Sequence, residues 1–150
     1  LDLAYAPPYS SAKDPVNMAG FAAENLLRGV VKQYHYEDLA ALPQDGSVTF
    51  LDTRTDAEHE KGYAKGFEKH IPVDDLRERM AELDSTKPVY VMCQSGLRSY
   101  IACRILSQNG FDCYNFSGGY RFYESIENDR FDENCRTSCG QSISSAHQSD

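Results

Sequence analysis

The chain lacks tryptophan, and none of its apolar runs is long enough to cross a bilayer, so no membrane role is expected. Positive charge is scarce. Fifteen Lys and Arg stand against 23 Asp and Glu, a net −8, which excludes the basic face that non-specific nucleic-acid binding needs. A secreted disulfide framework is also missing, because Cys93, Cys103, Cys113, Cys135 and Cys139 are odd in number and show no such pattern. That pattern points to a reducing, cytoplasmic setting. The chain opens on Leu1, and residues 1–9 have no basic start and carry Asp2, Pro7 and Pro8, so they are not a signal peptide. It reads as cut from a longer protein. At 150 residues it is long enough for one domain with short attachments.

What is present centres on Met92-Cys93-Gln94-Ser95-Gly96-Leu97-Arg98-Ser99, between the apolar run Val89-Tyr90-Val91 and a helical pattern over residues 100–109. A strand that ends in cysteine, turns through glycine and enters a helix puts its sulfur among unpaired backbone N–H groups. The thiolate, the nucleophilic form, is favoured in such a place. Gly96 permits the tight turn, Ser95 offers a hydroxyl, and Arg98 adds positive charge near the sulfur. A buried structural cysteine would not require glycine and arginine at these offsets. Cys103 on a helix and Cys113 on a strand are expected to pack in the core, and Cys135 and Cys139, as two ligands alone, make a poor metal site. No metal is expected.

Before this stretch, residues 1–11 form an extended arm rich in Tyr and Pro, and Asp14-Pro15 opens a helix with apolar residues to Leu27, ended by Gly29. Strands are expected at residues 30–34, 48–51, 89–92 and 112–116. Helices are expected at residues 36–42, 56–61, around Leu76, Met80 and Leu83, at 100–109 with Ile101, Ala102, Ile105 and Leu106 on one face, and at 120–128. The stretch from Gly66 to Pro72 reads as irregular. Alternating strands and helices over residues 30–130 argue for an α/β domain, a parallel sheet covered on both faces. Residues 131–150 are polar and read as a tail with little core. Asp52-Thr53-Arg54 falls at the carboxyl end of the second strand, where open α/β sheets gather their ligand-binding groups. Asp52 and Arg54 can then hold the loop or its arginine in place. His35, His59, His70 and His147 offer no catalytic pair and read as solvated or locally structural.

Asp52-Thr53-Arg54, the segment ending His70-Ile71-Pro72, the loop from Cys93 to Arg98, and Ser117-Gly118-Gly119-Tyr120 resemble, in order and spacing, the motifs of rhodanese domains. The resemblance covers about residues 30–130 and implies the rhodanese-like fold and a sulfurtransferase. Cys93 would take a sulfane sulfur as a persulfide and pass it to a thiol, with Gln94, Ser95, Gly96, Leu97, Arg98 and Ser99 forming the sulfur-binding loop. Thiosulfate-using members often carry further basic loop residues, whereas Gln94 and Leu97 are neutral. Persulfides and polysulfides are therefore better donors on this resemblance than thiosulfate. The segment 66–72 departs from the family form, one residue longer and with Phe67-Glu68-Lys69 in place of small or apolar residues, which implies a reshaped wall near the loop.

Residues 1–29 are similar to the C-terminal end of the flavin-dependent coenzyme A disulfide reductases, within their dimerisation domain. This resemblance implies a homodimeric parent that uses FAD and NAD(P)H, with the reductase on the same chain as partner and coenzyme A among the thiol acceptors. Tyr5 or Tyr9 would match a tyrosine that approaches the partner subunit's site. The chain itself lacks the glycine-rich nucleotide motifs, so neither cofactor is expected within it. Two other readings stand beside this one. A docking module without catalysis would use the arm and first helix for assembly. Cysteine phosphatases and arsenate reductases share a cysteine–arginine loop, but theirs has one residue more between the two, and the shorter loop here suits a single sulfur over a tetrahedral oxyanion.

Overall fold

A computed structural model describes residue 24 and residues 27–144, with side chains up to residue 135. The arm, Tyr5, Tyr9 and most of the expected first helix lie outside the described residues. Five strands form one sheet in the order β1-β5-β4-β2-β3: β1 (Lys32–Tyr34), β2 (Thr49–Asp52), β3 (Lys69–His70), β4 (Val89–Met92) and β5 (Cys113–Phe116). Every pairing is parallel, with Leu51 opposite Val91 and Val91 opposite Asn115. Between them run α1 (Tyr36–Leu39), α2 (Asp56–His59), α3 (Leu76–Arg79) with a 3-10 turn over Met80–Glu82, α4 (Leu97–Gln108) and α5 (Gly119–Ser144). Among the described residues no helix is long and apolar enough to cross a membrane.

Side chains alternate across each strand, so each face receives every second residue. The two faces differ in chemistry. Val31, Leu51, Val89 and Val91 go to an aliphatic face closed by Ile71, Leu76 and α4, whereas Tyr34, Phe50, Met92 and Phe116 go to a face rich in aromatic rings. On the aromatic face Tyr90 stands edge-on to Tyr34 and stacks on Tyr114 at 4.8 Å. Strands buried on both faces read as short apolar runs, which is why Val89–Met92 was visible in the sequence.

Three expectations are corrected. Lys69–His70, expected to be irregular, adds to the sheet edge beside Leu51 and Asp52, a pairing made by backbone groups that polar side chains do not signal. Phe67, expected in a wall near the loop, is fully buried against Phe50 in the aromatic core. Ile101 is 44% exposed; the buried stripe of α4 is Ser99, Ala102, Cys103, Ile105 and Leu106, and Ile101 lies beyond its margin.

The helix ends follow local chemistry. α4 stops at Gly110, whose φ of 84° lets its N–H reach the carbonyl of Ser107 while Phe111 N–H reaches Leu106. α5 passes the expected end at Asn128 because no glycine or proline interrupts residues 120–139. Its residues 129–135 are exposed. α5 is tied to α1 where Tyr36 Oη meets Glu127 and Arg130 Nη1 donates to Tyr36 Oη at 2.9 Å.

Candidate active site

β4 delivers Cys93 to the carboxyl edge of the sheet, and α4 starts four residues later with Gly96 before it at φ 99°. The helix thus begins three residues earlier than the periodicity predicts, inside the loop. Its first N–H groups have no partner within the helix. The Cys93 sulfur is buried, with the Gly96 N–H donating to it at 3.1 Å and the Ser99 hydroxyl lying 3.2 Å away. Ser99 Oγ is also 3.2 Å from the Gly96 carbonyl, so its one proton is shared between sulfur and carbonyl. The hydroxyl near the sulfur is that of Ser99; Ser95 is exposed. Two donors thus face the sulfur, an arrangement that favours negative charge there.

The start of α5 holds the loop from behind. Tyr120 N–H donates to the Cys93 carbonyl at 2.7 Å and Arg121 N–H to the Gln94 carbonyl at 3.2 Å. A trans peptide sets its N–H opposite its C=O, so these bonds turn the Gln94 and Ser95 N–H groups away from α5. The contact needs glycine. A Cβ on Gly119 would stand 2.6 Å from Gln94 C and Ser95 N and 2.7 Å from Cys93 O. Asn115 on β5 adds an amide 3.5 Å from the Gly96 carbonyl.

Asp52 and Arg54 are both buried, at 1% and 2% exposure, and form an ion pair with Arg54 Nη2 2.7 Å from Asp52 Oδ2. Burial pushes the Asp52 carboxyl up, but the bonds from Arg54 and His59 outweigh it and hold it below its ordinary value. Arg54 then reaches the loop, donating to Gln94 Oε1 at 3.3 Å and to the Gly62 carbonyl at 2.7 Å, with the Tyr120 ring 4.0 Å from its guanidinium carbon. It holds the loop through Gln94. His59, stacked between Tyr63 and His70, donates from Nδ1 to Asp52 Oδ2 at 3.0 Å, and His70 contacts the Arg54 carbonyl at 2.8 Å. Both rings have the local structural setting expected of them.

Arg98, expected to add positive charge near the sulfur, is paired with a residue the sequence did not single out. Its Nη1 and Nη2 donate to Glu58 Oε2 and Oε1 at 2.6 and 2.8 Å. Glu58 also accepts from the Thr55 N–H and hydroxyl, each at 2.9 Å, in the reach-back of a T-x-x-E helix start. The Arg98 guanidinium, with Thr55, holds the Glu58 carboxyl down to about 2. The T-x-x-E signature at residues 55–58, just past Asp52-Thr53-Arg54, was the available sequence signal.

A cavity of about 320 Å³ opens beside the loop, lined by Arg54, Glu58, Lys61, Gln94, Tyr120 and neighbouring residues of α5. Leu97, at the loop's outer edge, is 65% exposed. Cys103 and Cys113 are buried in the aliphatic core, Cys113 Sγ lying 3.2 Å from the Cys103 carbonyl and 3.3 Å from Ser107 Oγ. Cys135 is on the exposed surface of α5, and the side chain of Cys139 lies outside those described. Among the described residues no His, Cys, Asp and Glu cluster could hold a metal ion.

This geometry can be set beside known proteins. The chain is similar to reduced CoADR-RHD of Bacillus anthracis, with a TM-score of 0.75 and 40% identity over 87% of this chain and 23% of that one. It is also similar to an NAD-dependent persulfide reductase from A. fulgidus, with a TM-score of 0.62 and 36% identity over 82% and 21% of the two chains. A sulfurtransferase of Allochromatium vinosum is 36% identical over 73 residues, 48% of this chain and 67% of that protein. The chain spans 36% and 56% of the length of two further relatives from Bacillus subtilis, at 37% and 38% identity. The family model of the rhodanese-like domain matches residues 35–125, a stretch that starts just after β1 and contains the Cys93 loop, its Asp52–Arg54 support and the Gly119 contact. With that match over more than half its length, on a five-stranded parallel sheet with the loop at its carboxyl edge, the chain belongs to the rhodanese-like domain family.

Proposed function

We propose that the domain is a sulfurtransferase in which Cys93 carries sulfane sulfur as a persulfide. The observation that carries this reading is the buried Cys93 sulfur, 3.1 Å from the Gly96 nitrogen and 3.2 Å from the Ser99 hydroxyl at the start of α4. In the first half-reaction the Cys93 thiolate attacks the outer sulfur of a donor R–S–SH. The donor S–S bond breaks, Cys93–S–SH forms, and RS⁻ leaves with the electron pair. In the second, an acceptor thiolate attacks the outer sulfur of that persulfide and the Cys93 thiolate leaves. The loop donors stabilise Cys93 both as attacking and as leaving sulfur. No net oxidation occurs, so no cofactor is needed at this site. Donors on this reading are persulfides and polysulfides, with thiosulfate a poor one, and acceptors are thiols such as coenzyme A.

The same reading extends to a cytoplasmic, homodimeric parent in which residues 30–130 are the C-terminal module of an FAD- and NAD(P)H-dependent coenzyme A disulfide or persulfide reductase. Residues 1–29 would end its dimerisation domain, bringing Tyr5 or Tyr9 to the partner's site, and residues 131–150 would be a tail. Its support is that the likeness to CoADR-RHD covers 87% of the chain, more than residues 35–125 alone, and that the A. fulgidus relative is a persulfide reductase.

The test is intact-mass measurement after incubating the chain with glutathione persulfide, polysulfide or thiosulfate. One added sulfur on the wild-type chain and none on Cys93→Ser is expected. Absence of an adduct with every donor would leave the docking reading, and turnover of an aryl phosphate would favour the phosphatase one.

A further inference from the structure

The sulfur loop contains a single charged residue, Arg98, and that charge is paired with Glu58 of α2. Glu58 grips it through both carboxylate oxygens, at 2.6 and 2.8 Å, and stays ionised because Arg98 and Thr55 hold its carboxyl down to about 2. The helix start does not require that charge. Thr55 N–H and Oγ1 both go to Glu58 Oε2, an acceptor that a neutral amide would also supply. The second oxygen and the negative charge therefore serve Arg98. Of the other charges lining the cavity, Arg54 is matched by Asp52, while Lys61, Arg121 and Glu124 stand outside the loop.

Donors differ in where they carry charge. With thiosulfate, the Cys93 thiolate must approach the sulfane sulfur of a dianion; the S–S bond breaks, Cys93–S–S⁻ forms, and sulfite leaves with both negative charges. That route needs an uncommitted cation beside the reacting sulfurs. With a thiol persulfide only one negative charge is handled, and it ends on a departing thiolate. We propose that Glu58 is the specificity-determining residue of the Cys93 site. By neutralising Arg98 it sets the loop against donors whose anionic group adjoins the transferred sulfur and in favour of persulfides of organic thiols. This inference rests on the proposed transfer of sulfur by Cys93.

The experiment compares second-order rates of Cys93 persulfidation, read by intact mass, for wild type, Glu58→Gln and the double variant Glu58→Gln/Arg98→Met, with thiosulfate and with glutathione persulfide. In Glu58→Gln the ratio of the thiosulfate rate to the persulfide rate rises by about ten-fold or more, the size expected if one charge contact is freed. The rise disappears in the double variant and shrinks with added salt, which a loss of loop structure would not produce. Glu58→Asp, which keeps the charge but shortens its reach, gives a smaller rise in the same direction and serves if Glu58→Gln does not fold. An unchanged or lower ratio in the folded variants overturns the role of Glu58. If wild type takes sulfur from no donor, sulfur transfer itself fails; if it takes sulfur from the persulfide and the ratio does not move, only this inference fails.

Discussion

The backbone N–H of Tyr120 donates to the carbonyl of Cys93 at 2.7 Å, so the first turn of α5 is pinned to the loop just past β4. The bond forms because Gly119, at φ 67°, brings α5 against the loop backbone with no side chain between them.

Gly119→Ala should therefore damage the loop more than an exposed glycine substitution would. Its Cβ would meet backbone atoms at 2.6 and 2.7 Å, which cannot rotate aside. A loss of about 1–3 kcal/mol in urea unfolding is expected, together with slower persulfide formation on Cys93. Gly46→Ala, where a Cβ meets nothing within 4 Å, separates this contact from the backbone cost of a positive φ.

Ser99 is a positioning group for the Cys93 sulfur through a hydroxyl 3.2 Å away. A hydrogen bond to a charged group is worth about 1.5–3 kcal/mol, so Ser99→Ala should slow sulfur loading by about ten-fold or more. Ser99→Thr keeps the hydroxyl and should recover most of the rate, which a purely structural role of the side chain would not predict.

The Asp52–Arg54 pair is buried, so removing one partner strands the other. Asp52→Asn should cost about 3–5 kcal/mol, seen as a lower denaturant midpoint. Loosening of Gln94 should accompany it, because Arg54 Nη1 is 3.3 Å from Gln94 Oε1.

Glu58 links stability to pH with a defined sign. Its carboxyl is lowered from 4.5 to about 2, chiefly by Arg98, so its contribution is complete above about 4.5 and is lost as pH falls toward 2. Its side chain is 31% exposed, so the contribution is small, within about 1 kcal/mol. Urea midpoints measured from pH 6 down to 2.5 should converge for wild type and Glu58→Gln at the acid end.

The readable parts of this chain were those whose causes are local. Val89–Met92 is apolar because it is buried on both faces, and Gly96 and Gly110 mark turns that need positive φ. Cys93, Gln94 and Gly96 could be placed in one loop for the same reason. The Glu58–Arg98 pair joins residues 40 apart across α2 and α4, and no pattern within either segment encodes the meeting. β3 was missed because it is two polar residues held by backbone pairing, and the length of α5 because polarity was read as the end of a helix.

The central claim is that one of five cysteines carries the transferred sulfur. Peptide-level mass spectrometry of the chain after brief exposure to glutathione persulfide, with thiols blocked before digestion, tests it most directly. The added sulfur should lie on the peptide containing Cys93, and a subsequent pulse of an acceptor thiol should remove it. Added sulfur on Cys135 or Cys139 with none on Cys93, or a Cys93 adduct that no thiol discharges, would contradict the account.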